Sequence, residues 1–141
     1  MKVLSIDQMN RLKELGVDVS NASVRVGQMV FYHGDSLYGV DSYNVHLFRD
    51  DDDDTSCFEE EYKAFTLQDI IELLPKSVII NSLNHWFCVN QNCLLTEFQV
   101  MYVYGYDSYG VIKQNKSLLK AAYEMLLWVI ENGYLKQSNI N

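Results

Sequence analysis

The sequence predicts one α+β domain: an antiparallel sheet of about five strands with helices packed mainly on one face. Three observations lead there. Ser117–Asn132, SLLKAAYEMLLWVIEN, is a long and strongly periodic segment with Leu118, Leu119, Ala122, Leu126, Val129 and Ile130 near i, i+3, i+4 spacing. Several stretches between residues 24 and 106 instead repeat at period two and are rich in β-branched and aromatic side chains. The length, 141 residues with 48% apolar and 21% charged, suits one domain with a core of its own and no linker.

The first helix is expected over 5–15. Ser5 can cap it, Gln8 stands three residues on as the capping-box partner, and Leu4 can staple to Met9. Ile6, Met9, Leu12 and Leu15 make a thin apolar stripe, and Gly16 is the natural stop. Val24–Tyr32 and Tyr38–Phe48 then read as two strands of a hairpin across His33-Gly34-Asp35-Ser36.

An acidic run follows, DDDDDTSCFEEE at 50–61, read as an exposed loop between Arg49 and Lys63. A second helix is expected over 66–74, with Thr66 as cap, Asp69 as its partner three residues on, and Phe65 stapling to Ile70. Pro75 ends it, because the residue before a proline avoids the helical region. Val78–Ile80 is a short buried strand candidate. His85–Val89 and Leu95–Tyr106 form a second hairpin across Asn90-Gln91-Asn92. The last helix, 117–132, closes on Gly133, with Tyr134 folding back on its final turn.

Charge excludes one broad class of partner. The net charge is −8, yet residues 50–61 hold eight acids, and without them the chain carries eleven acids and eleven bases. No basic footprint exists for phosphates, so direct nucleic-acid contact is not expected. No apolar run is long enough to span a membrane, and the opening MKVLSIDQMNRLKELG lacks the apolar core of a signal peptide. The three cysteines, Cys57, Cys88 and Cys93, form no disulfide framework and read as thiols in a reducing cytoplasm.

The segments FTLQDIIELLPKSV at 65–78, SLLKAAYEMLLWVIENGYLK at 117–136 and LKELGVDVSNA at 12–22 resemble a group of short proteins of gut anaerobic bacteria and their phages or other mobile elements. That group has no assigned activity, so the resemblance implies a genomic setting and no chemistry. Residues 45–63 lie outside it.

Four constellations carry conceivable chemistry, each beside a plainer reading. In one frame Asp50, Asp52, Asp54, Ser56 and Glu61 occupy the ligand positions of a calcium loop, but Thr55 stands where the sharp turn needs glycine. The plainer reading is a solvated charged loop. The same run can imitate nucleic-acid phosphates and dock on a basic host factor, although its acids sit in one loop and not over an extended face. His85, Cys88 and Cys93, with His33 or His46, are candidate zinc ligands at HxxC and CxxxxC spacings, against the plainer reading of core cysteines. No pattern sets a base beside a thiol, and no GxSxG, HExxH or glycine-rich phosphate loop is present.

That leaves the aromatics: ten Tyr, six Phe and two Trp. Tyr102, Tyr104 and Tyr106 on one strand, with Tyr109 beyond, either pack beneath the helices with hydroxyls at the rim or pave an exposed platform. The expectation is a cytoplasmic, non-enzymatic interaction or accessory protein with no cofactor. It would act on an unidentified protein partner or a second copy of itself, through the candidates Tyr102, Tyr104, Tyr106 and Tyr109. Its rivals are an acidic nucleic-acid mimic and a metal-dependent or thiol enzyme using His85 and Cys88.

Overall fold

The computed structural model describes residues 2–33, 36–40, 46–49, 58–92, 94, 96–105 and 108–135. Their order is α1 (Ile6–Glu14), β1 (Val24–His33), β2 (Ser36–Val40), β3 (His46–Arg49), β4 (Phe58–Ala64), α2 (Leu67–Leu73), β5 (Ser77–Ile80), β6 (Leu83–Gln91), β7 (Phe98–Tyr104), β8 (Ser108–Asn115) and α3 (Leu118–Glu131). The class is α+β, as expected, with two antiparallel sheets in place of one.

Local chemistry sets the helix ends. Ser5 and Gln8 form the reciprocal capping box of α1, and Thr66 and Asp69 form that of α2. Ser117 caps α3 by accepting from the Lys120 N–H. α1 and α3 end alike: Gly16 and Gly133 take positive φ, and the next residue's N–H reaches back five residues to a carbonyl, Val17 to Leu12 and Tyr134 to Val129. Tyr134 then stacks on Trp128, centroids 5.3 Å apart. α2 stops because Leu74, before Pro75, is already extended at ψ 132°.

In the first sheet β1 pairs with β2 through residues 30–33, with β3 through 24–27 and with β4 through 24–29. The single strand expected over 38–48 is therefore two, β2 and β3. Strand β4 corrects the acidic-loop reading at its end: Glu59, Glu60 and Glu61 lie on a strand. Repulsion between adjacent glutamates suggests a loop, but a strand whose described pairing is one-sided tolerates charge well.

The second sheet is a meander in the order β5-β6-β7-β8. Asn81 and Ser82, both at positive φ, make the two-residue turn between β5 and β6. The expected strand at 95–106 is β7, and β8 is a strand beyond the expected hairpin. Gly110 there is not a turn residue but the extra residue of a bulge, since Val103 pairs with Tyr109 and Tyr102 with Val111. A side chain at this position would collide with Ile80 and with the His85 ring, Cδ2 2.7 Å from the added carbon.

α3 lies against β7, β8 and α2, and α1 against β4. One core joins them, with Leu4, Leu12, Val24, Ile70, Val100, Tyr102, Met125, Leu126 and Val129 essentially sealed from solvent. The buried line of α3 is Ala121, Ala122, Met125, Leu126 and Val129, a little round from the expected stripe; Leu118, Leu119 and Ile130 are only partly covered. Polar ties fix the layers. Ser23 donates to Asp69 Oδ2 at 2.7 Å, and the Leu4 N–H to the Phe65 carbonyl at 3.0 Å.

Candidate interaction surface

Strand alternation divides the second sheet into two faces. Toward α3 point Val78, His85, Phe87, Val100 and Tyr102. Tyr102 is 0% exposed, lies 6.4 Å from Trp128 of α3 by ring centroids, and donates its hydroxyl to the Pro75 carbonyl at 2.7 Å. Burial pushes this phenol far above the usual tyrosine range. His85, 6% exposed, holds the Leu83 carbonyl through Nδ1 at 2.8 Å and leans on Tyr104, centroids 6.0 Å apart.

The opposite face has no described helix upon it. The register sets Ser77, Trp86, Val103 and Tyr109 in one cross-strand row, with Ile79 diagonal to Trp86. Ile79, Trp86 and Tyr109 are 64%, 58% and 60% exposed. The next row is Cys88, Met101 and Ile112, with Met101 only 4% exposed although it stands outside the main core. Beyond it Gln99 donates to Gln114 at 3.0 Å, and Gln114 to Glu97 at 2.9 Å. Every outward position on the four strands is uncharged. Lys113, the one Lys, Arg, Asp or Glu on them, shares a row with buried Val100 and so points inward.

The tyrosine candidates therefore separate. Tyr102 and Tyr104 follow the plainer reading, the first in the core and the second at its rim, half exposed. Tyr109 lies on the outward face, and Tyr106 lies outside the described residues. Trp86 and Ile79 were missed as surface residues because Val78–Ile80 was read as a buried strand and no face was assigned along His85–Val89. Residue Val78–Ile80 is in fact half buried: Val78 faces in and Ile79 out.

Of the zinc candidates, the two described on β6 are not brought together. His85 and Cys88 are three apart on one strand, so they project from opposite faces of the sheet. Cys88 is a free thiol, and Cys57 and Cys93 lie outside the described residues, as do Asp50, Asp52 and Asp54. Glu61 is exposed on β4, so the proposed calcium frame is flanked by β3 and β4 and not by helices. Among the described residues no group of three or more His, Cys, Asp or Glu gathers in a way that could hold a metal.

Two surface cavities flank α3 and use other residues. One of about 350 Å³ is lined by Lys2, Leu67, Phe98 and Lys116–Leu119, and one of about 250 Å³ by Lys113, Glu124, Leu127, Trp128 and Glu131. Neither receives His85 or Cys88. No described helix is long and apolar enough to cross a membrane. No family model, no curated protein and no solved structure matches this chain.

Proposed function

We propose that this chain is a non-enzymatic interaction protein that binds protein through the outward face of the second sheet. The observation that carries this reading is the grouping of Ile79, Trp86 and Tyr109, all more than half exposed, on a face whose outward strand positions are all uncharged. Contiguous exposed apolar surface marks interaction sites, and Trp and Tyr supply large rigid contact area at small entropic cost. The separation of His85 from Cys88 supports a binder over a metal or thiol enzyme. We place its action in the cytoplasm, in keeping with thiol cysteines, and the resemblance to proteins of bacterial mobile elements suggests an accessory role there.

A photo-reactive amino acid at position 86 tests the reading in living cells. Covalent protein adducts should form from position 86 and not from position 120, which is exposed on α3. Equal yields from the two positions would defeat the assignment.

A further inference from the structure

Resting on that reading, we infer that the occupant of the outward face is a second copy of this chain, the two second sheets meeting face to face about a two-fold axis. Charge is the first argument. Two chains of net charge −8 repel, so a contact between identical copies is favoured where the surface adds no net charge of its own. The row of Trp86, Val103 and Tyr109 brings no charge to such a contact, and neither does any other outward strand position. A basic or acidic partner would find no charge to pair with at those strand positions.

Hydrogen bonding is the second argument. Asn84 and Asn90 on β6, Gln99 on β7 and Gln114 on β8, which share this face, are primary amides, each both donor and acceptor. Identical amides can pair with one another, whereas carboxylates or ammonium groups cannot. Glu97, at the far end from Trp86, already accepts from Gln114.

Size sets the strength. Four strands ~4.8 Å apart and roughly seven residues long offer a footprint of about 450 Å² per copy. A standard interface takes about 800 Å² per partner, so the dimer is a weak, rapidly exchanging one.

Sedimentation equilibrium over about 10 µM to 1 mM, the range a small interface reaches, is the test. The wild-type mass should climb from 16.4 kDa toward twice that value. Trp86→Glu should hold the mass at 16.4 kDa throughout with an unchanged melting temperature, while Lys120→Ala dimerises as wild type. Amide NMR shifts of wild type over the same range supply a readout that needs no variant, and they should move at Ile79, Trp86, Val103 and Tyr109. A wild-type mass that stays flat, a Trp86→Glu chain that still dimerises, or shifts confined to another surface would each overturn the inference. A monomer that still forms adducts with a different protein from position 86 would overturn it too, and would leave the proposed function standing.

Discussion

Tyr102 and Trp86 sit within two residues of each other across the β6–β7 ladder, yet Tyr102 is enclosed beneath α3 and Trp86 is 58% exposed. Both faces of this sheet are paved with aromatic and branched side chains. What separates them is a helix: α3 lies on one, and on the other Ile79, Trp86 and Tyr109 stand exposed. The difference teaches that the apolar content of a strand does not report burial when both of its sides are apolar. Only the covering element decides which side is core.

The contrast is sharpest in stability. Tyr102→Ala opens a cavity and strands the Pro75 carbonyl, and should lower stability by ~3–5 kcal/mol. Trp86→Ala removes a larger side chain but should change stability by less than ~1 kcal/mol, because little of it is buried in one chain. Chemical denaturation of both variants at low protein concentration measures the pair. Similar losses would show that the outward face is covered within the single chain.

A middle-sized effect comes from the place where the inner face closes tightest. Gly110→Ala drives a methyl group into Ile80 and the His85 ring, so one or both must shift, at ~1–3 kcal/mol. The midpoint of a urea melt reads this directly. An unchanged midpoint would mean that the bulge relaxes freely and does not constrain the inner face.

The smallest effect has a pH signature. Burial raises the Tyr102 phenol, and also those of Tyr62 and Tyr123, so the folded chain holds these protons more tightly than the unfolded chain does. That contribution is intact below the unfolded tyrosine value of about 10 and is lost as pH rises beyond it. Tyr102→Phe should cost about 1 kcal/mol at neutral pH through the lost bond to Pro75, and should flatten the decline above about pH 10. Parallel alkaline limbs for the two proteins would mean that Tyr102 does not carry the decline.

The helices were fully legible in the sequence because their signals are local. Ser5 with Gln8, Thr66 with Asp69, and Gly16, Pro75 and Gly133 each act within a few residues of chain. Strands β4 and β8 were hidden by local signals that the fold overrides: a glutamate triplet on β4, and on β8 a glycine serving a bulge. β7 is legible too, because period two by itself sets Tyr102 and Tyr104 on one face and Met101 and Val103 on the other, as the ladder has them. Which face would be covered was not legible, nor was the partnership of Trp86 with Tyr109. Those two lie twenty-three residues apart and meet only through the register of an intervening strand.

The short link of Lys116 and Ser117 between β8 and α3 has a consequence for the order in which the molecule assembles. Each strand from β6 to β8 pairs with its immediate predecessor, and α3 follows directly, so residues 77–131 draw these contacts from one contiguous stretch. Loops that short close quickly, which favours this unit as an early step in folding. Until α3 arrives its sheet has two sticky sides and no inside. A nascent chain halted before Ser117 would expose both, and self-association would then compete with completion of the fold.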